Sequence, residues 1–191
     1  MTDPWTIPLA APVEIGGKRF EALALREPAA GELLRATKRP AADQDAALLA
    51  EVLGIGAQFE ALAAALPARA FRRALDLFAP ALTDWGQVRA PDMLPAASEA
   101  ELPDMLTLPL PATIQIGTTW VDRLELHEPT GLDLIKFQRA GGGSLESLIL
   151  LVSLAASQPR AIVERVPLTV FTRAAAYALG FIFGVPPAGK T

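Results

Sequence analysis

The chain contains no cysteine and a single histidine, and these two shortages limit the chemistry that it can carry out. Without cysteine it has neither disulfide bonds nor a thiolate nucleophile, which fits a cytosolic protein. His127 is the one imidazole, so a histidine-based catalytic or metal site could be assembled only once. Because His127 takes the place of Arg26 in an internal repeat of the sequence, we expect it to be a surface residue at a strand end.

Aromatic residues, positive charge and long apolar runs are also scarce. Aromatics make up 6% of the chain, and the 51% of apolar residues are mostly alanine and leucine, which favour helices. The net charge of −4 argues against a nucleic-acid backbone or an anionic membrane as the main partner. The apolar run at residues 174–184 is shorter than the ~18 residues of a membrane span, and the start MTDPWTIPLA lacks the basic residues of a secretion signal. We therefore expect a soluble, intracellular protein.

Two glycine-rich segments have the appearance of phosphate-binding loops. Residues 184–191, GVPPAGKT, match the P-loop pattern, but Pro186 and Pro187 remove two backbone donors and no helix follows in the sequence. A flexible tail is therefore expected there. Gly141-Gly142-Gly143 has no strand before it and no lysine after it, so we expect a flexible joint before a helix that Ser144 begins.

Two pairs of carboxylates could be proposed as acid–base groups. Asp122 and Glu125 lie at a predicted strand edge, and Asp43 and Asp45 lie at a predicted helix start. Both placements are common for solvated charges, and the helix dipole accounts for the second pair. No catalytic residue, cofactor or metal ligand is therefore predicted.

What the sequence does contain is an internal repeat. Residues 7–28 align without gaps on residues 108–129, at an offset of 101, with nine identities in 22 positions. Chance would give about one or two at ordinary composition. Residues 48–77 align on residues 148–177 at an offset of 100, with eight identities. Two matching blocks in the same order indicate a tandem duplication.

Each copy begins with apolar residues at alternate positions around a glycine turn, which predicts a β-hairpin. A proline then precedes a helical region. Further helices are expected near residues 43–53, 58–65 and 68–79, and near 144–156, 159–165 and 168–183. The predicted fold class is α+β, with a first repeat at 1–84, a Pro-rich acidic linker at 85–105, a second repeat at 106–184 and a tail at 185–191. An internal pseudo-dimer is favoured because one repeat alone would have a marginal core.

The strands of both copies end in short motifs. The first strand ends in P-[VI]-x-[VI]-G, at residues 12–16 and, with Thr113 in place of proline, at 113–117. The second ends in L-x-L-[R/H]-E-P, at residues 23–28 and 124–129. With the Ala/Leu-rich remainder, these motifs resemble the tail assembly chaperones of contractile-tailed, Mu-like bacteriophages. In that family the unit is usually a single copy, whereas here it is doubled.

The resemblance implies a non-enzymatic protein, found in the cytoplasm of the bacterial host and absent from the mature virion. Its implied partner is the tape measure protein, whose apolar helical segments it would cover. The tail-tube protein and a longer, frameshifted chaperone product are further candidates, and the codons of Gly189-Lys190-Thr191 are a candidate slippage site. The chain could act as a monomeric pseudo-dimer or as a homo-oligomer. A structural tail adaptor, and less favourably a nucleotide-binding enzyme that uses residues 184–191, remain as alternatives.

The second repeat is the more apolar one. Residues 145–156 are apolar almost all round, so this helix either forms the centre of the core or offers part of its surface to a client. On the second alternative, the candidate client-binding residues are Leu148, Leu151, Val152, Phe171, Tyr177, Ile182 and Phe183.

Overall fold

The computed structural model describes residues 5–88 and 102–183. Contacts divide the chain into two compact units, Met1–Leu82 and Thr83–Thr191. Each unit contains a two-stranded antiparallel hairpin that is followed by helices. The predicted α+β class, with a hairpin and helices occurring twice, is therefore confirmed.

The hairpin of unit 1 pairs β1, Thr6–Ile15, with β2, Lys18–Ala24. Gly16 and Gly17 form the turn with φ angles of 56° and 75°. Two consecutive residues with positive φ are the requirement of the tight hairpin turn, and glycine meets it without a steric penalty. The inward face of the hairpin is apolar, and Leu23 is fully buried on it.

The helices of unit 1 are short until the last. They are α1 (Ala30–Thr37), α2 (Gln44–Val52), α3 (Phe59–Ala65) and α4 (Ala68–Val88). The boundary between the units, after Leu82, falls within α4, so Trp85 near its end belongs to unit 2. Asp43 precedes α2 as predicted, but its side chain makes no capping hydrogen bond. It belongs instead to a 3₁₀ turn, Ala41–Asp43, which leads directly into the helix.

Helix α4 is longer than the sequence predicted. We expected it to end near residue 79, before Pro80, yet it continues to Val88 with Pro80 inside it. A proline within a helix lacks the N–H donor and costs about 3 kcal/mol. Phe78, Ala81 and Trp85 form a buried stripe on either side of it, at 0%, 5% and 5% exposure. Burial of two large aromatic side chains, at roughly 2–3 kcal/mol each, offsets that cost.

The hairpin of unit 2 repeats the first hairpin in detail. It pairs β3, Met105–Ile116, with β4, Thr119–His127. All six residue pairs of the first hairpin recur in the second with both partners displaced by 101 positions. The register shift recurs as well, between Pro8 and Val13 in one hairpin and between Pro109 and Ile114 in the other.

Four helices follow in unit 2. They are α5 (Gly131–Arg139), α6 (Leu145–Ala155), α7 (Arg160–Val163) and α8 (Leu168–Phe183). The hydroxyl of Ser144 accepts a hydrogen bond of 3.1 Å from the N–H of Ser147, so the predicted cap of α6 is confirmed. In the part of the chain that the structure describes, no helix is both long enough and apolar enough to cross a membrane.

The boundaries between the repeats stay predictions. Of the expected linker, residues 85–88 lie in α4 and residues 89–101 lie outside the described part of the chain. The tail at 185–191, with the P-loop-like pattern, also lies outside it. The pseudo-dimer arrangement is likewise untested.

Candidate partner-binding surface

The Arg-Glu-Pro segment of the first repeat is part of a polar network around the buried carboxylate of Glu32. The Glu32 carboxylate, 6% exposed, accepts a hydrogen bond of 2.8 Å from the N–H of Ala29 at the start of α1. The same carboxylate accepts two hydrogen bonds from the guanidinium of Arg26, one of them 2.9 Å long. The hydrogen bond to Glu32 raises the pKa of Arg26, and partial burial opposes it. Arg26 therefore ties the end of the hairpin to the first turn of α1.

The second repeat keeps the hydrogen bond from the N–H before the helix to the carboxylate, but the carboxylate has a different second partner. Asp133 takes the place of Glu32 and closes a capping box with Thr130, whose N–H and hydroxyl donate to it over 3.0 and 2.6 Å. The hydroxyl of Thr130 lowers the pKa of Asp133, and Lys136 contributes to the same shift. His127, the counterpart of Arg26, is exposed at the end of β4, as predicted.

Two of the four carboxylates considered as catalytic candidates, Asp122 and Glu125, are engaged in surface interactions. Asp122 and Glu125 both lie beside Arg123, at 3.7 and 2.7 Å, and all three side chains are largely exposed. The hydrogen bond to Glu125 raises the pKa of Arg123. Within residues 5–88 and 102–183, no group of histidine, aspartate and glutamate side chains could hold a metal ion.

The triple glycine ends a helix. The N–H of Gly141 donates to the carbonyl of Gln138 over 3.1 Å, and that of Gly142 donates to the carbonyl of Phe137 over 3.2 Å. Gly141 and Gly143 have φ angles of 98° and 93°, which suit a helix C-terminus. The backbone donors that a phosphate would need at Gly141 and Gly142 are therefore already used.

Most of the predicted client-binding side chains lie inside unit 2. Leu148, Leu151, Val152, Phe171 and Tyr177 are each between 0 and 5% exposed. Ile182 is half-buried, and the side chain of Phe183 lies outside the described part. The Tyr177 hydroxyl donates a hydrogen bond of 2.8 Å to the carbonyl of Pro103, and burial raises the pKa of Tyr177. A client could reach the buried residues only after unit 2 rearranges, so their role in binding stays a prediction.

An open groove lies instead in unit 1, where α3 ends and α4 begins. It has a volume of about 650 Å³. Leu66, Phe71 and Leu75 give it an apolar lining, and Arg69, Arg72 and Asp76 add charges to it. Phe71 and Leu75 are half-buried, and the three charged residues are exposed. In the described part of the chain neither guanidinium has an ion-pair partner.

The equivalent face of unit 2 is covered. Phe171, the counterpart of Phe71, is fully buried and lies against Trp85, with the ring centres 5.7 Å apart and the planes at 40°. Val166 and Ala175, the counterparts of Leu66 and Leu75, are also fully buried. At the three charged positions unit 2 has Thr169, Thr172 and Ala176.

Sequence reasoning missed this groove because it looked for the most apolar repeat. The second repeat is more apolar at these positions because it buries them, whereas a surface that meets water and partners carries charges as well. A comparison of the two copies could have indicated the groove, because Phe71 is flanked by arginines at 69 and 72, whereas Phe171 is flanked by threonines at 169 and 172.

The first repeat is similar to a known family. Residues 6–80 match the family model described as "Phage tail assembly chaperone proteins, E, or 41 or 14". The matched range begins with β1 and ends within α4, so it takes in the hairpin, the Arg26–Glu32 pair and the groove. No curated protein and no solved structure matches the chain. Over residues 6–80 the chain therefore matches the phage tail assembly chaperone family.

Proposed function

We propose that this protein is a chaperone of phage or prophage tail assembly, that it acts in the host cytoplasm, and that it binds the tape measure protein. The observation that carries the proposal is the family match over residues 6–80. The assignment to the Mu-like, contractile-tailed type rests on the strand-end motifs alone.

We further propose that the second unit arose by duplication of the first. Six equivalent strand pairs and an equivalent register shift support this origin, because register is set by the detailed pattern of side chains along a strand. Equivalent residues also occupy equivalent parts of the core. Leu23 and Leu124 are both 0% exposed, and Leu48 and Leu148 are 2% and 1% exposed.

The proposed activity is reversible binding, without bond making or breaking. A long, helical chain with an apolar face would aggregate if left uncovered, and an apolar groove can shield one segment of that face. Release then requires only that tail-tube subunits compete for the same surface. Two linked units can raise the effective concentration of one binding site near another.

Co-expression tests the binding proposal. The full chain is produced with the tape measure protein of its own tail gene cluster, and the soluble yield and co-elution of the latter are measured. We expect the tape measure protein to be soluble and to co-elute only when the chain is present. A tape measure protein that aggregates equally with and without the chain would contradict the proposal.

Mass spectrometry of purified particles tests when the protein acts. A chaperone should be far below stoichiometric amounts in the finished tail, whereas a structural adaptor should be present in fixed copy number. Affinity purification from assembling cells, with quantification of the tail-tube protein and of any longer chaperone product, tests the two further partners.

A further inference from the structure

We infer that the groove of unit 1 is the client-binding site and that it takes an amphipathic helix with an aromatic side chain and neighbouring carboxylates. This inference rests on the proposed chaperone function and adds to it the location of the site and the chemistry of the bound segment. The occupant is a helix of another protein, and the following three observations define it.

The first observation is how the same face is covered in unit 2. There the ring of Phe171 is covered by an aromatic residue, Trp85, which lies on a helix. Phe71 occupies the same position of the repeat and is only half-buried. The chain thus contains one example of what fits against this phenylalanine, namely an aromatic side chain presented by a helix. Tilted aromatic pairs of this kind contribute beyond their buried area.

The second observation is the charge of the groove. Arg69 and Arg72 carry two positive charges against one negative charge on Asp76, in a chain whose net charge is −4. Because neither arginine is paired within the described residues, both are available to carboxylates of a partner. Arginine can hold a carboxylate by two parallel hydrogen bonds, which would fix the register of the bound helix.

The third observation is the length of the lining. The groove residues of α4 run from Ala68 to Asp76, which is about 12 Å at 1.5 Å per residue. A helix lying along it would therefore present about two turns. The expected recognition pattern is an aromatic residue with acidic residues one turn away on either side, at spacings of three or four.

The binding experiment uses the full chain and 20-residue peptides that tile the tape measure protein of the same gene cluster. Affinities are measured by fluorescence anisotropy at low and at high salt. We expect binding to concentrate in peptides with the aromatic and acidic pattern, and to weaken at high salt because exposed ion pairs are screened. Peptides that bind equally well without an aromatic residue would overturn the inference.

Variants locate the site. Phe71→Ala should weaken binding of the best peptide at least tenfold, and Arg69→Glu with Arg72→Glu should weaken it further and reverse the preference for acidic peptides. The matched controls are Leu132→Ser and Ile135→Ser on α5, which are 59% and 48% exposed and lie outside the groove. These controls should leave binding within twofold of the parent. Circular dichroism and hydrogen exchange establish that each variant is folded.

The outcomes separate the site from the function. If the tape measure protein binds the parent chain and the groove variants equally, the inference is wrong and the chaperone proposal stands. If it binds neither, the chaperone proposal itself fails. If the parent chain is a dimer in light scattering and Phe71→Ala dissociates it without changing peptide affinity, the groove binds a second copy of the chain, which also overturns the inference.

Discussion

Replacement of Glu32 by alanine gives the sharpest test of how the hairpin is held to the helices. The substitution removes the acceptor for the Ala29 N–H and for both donors of Arg26. The corresponding substitution in unit 2 is Asp133→Ala, which removes a capping box in a more exposed setting. The two substitutions therefore compare a buried network with a surface cap at the same position of the repeat.

The magnitudes follow from burial. A hydrogen bond to a charged group contributes about 1.5–3 kcal/mol, and a buried donor left without an acceptor costs about 1–3 kcal/mol. The side chain of Arg26 is 57% exposed and can return to water, so its contribution lies at the low end. We expect Glu32→Ala to lower the free energy of unfolding by about 3 kcal/mol. Asp133→Ala should cost about 1 kcal/mol, as is usual for a cap.

Hydrogen exchange read by mass spectrometry is the appropriate assay because it reports each unit separately. Protection should fall in peptides from β2 and α1 for Glu32→Ala, and in peptides from β4 and α5 for Asp133→Ala. Glu32→Gln should lie between the parent and Glu32→Ala, since it keeps an oxygen that can accept from the Ala29 N–H. Equal losses for Glu32→Ala and Asp133→Ala would refute the argument from burial.

Three further predictions concern the core, the proline and pH. Leu23 and Leu124 are both fully buried, so each substitution by alanine should lower the free energy of unfolding of its own unit by about 2–5 kcal/mol, as measured by hydrogen exchange. If one substitution fell within this range and the other outside it, the two positions would not be packed equivalently. Pro80→Ala should stabilise α4 by about 1–3 kcal/mol, because the position is exposed and alanine restores the N–H donor that proline lacks. The urea concentration at the midpoint of unfolding should therefore rise, and a lower midpoint would contradict this prediction. The pKa of Asp133 is lowered in the folded state, so its contribution should be full above about pH 4, the unfolded value, and be lost as pH falls through the folded pKa. Asp133→Asn should make the free energy of unfolding depend less on pH in this acid range. If the pH dependence were the same as in the parent, the prediction for Asp133 would be wrong.

Much of the fold could be predicted because its determinants are local. Alternating apolar residues and glycine turns predicted both hairpins, since a two-residue turn fixes the strands that it joins. The short helices expected near 58–65 and 159–165 do end before Pro67 and Pro167, and α6 begins after Ser144 as expected. In each case a few neighbouring residues restrict the backbone strongly enough to set the boundary.

The rest depends on contacts that are distant in the sequence. Pro80 has the local signature of a helix end, and only the buried stripe around it explains why α4 continues. The Arg26–Glu32 pair joins a strand end to a helix, and the motif shows the arginine without showing its partner. Similarly, both positions 71 and 171 are phenylalanine, and this identity does not show that the ring of Phe71 is half-buried and that of Phe171 fully buried.

The residues that flank these two rings account for their different surroundings. An apolar segment that covered Phe71 would have to take Arg69 and Arg72 partly out of water, at a cost of several kcal/mol per charge unless it brought carboxylates to them. Around Phe171 the corresponding positions are Thr169, Thr172 and Ala176, so a segment that covers this ring has no charged group to take out of water there. This face of the repeat is thus covered by Trp85 in unit 2 and stays open in unit 1. We therefore propose that the charged positions, more than the phenylalanine, determine which copy can accept a partner and which partners it accepts.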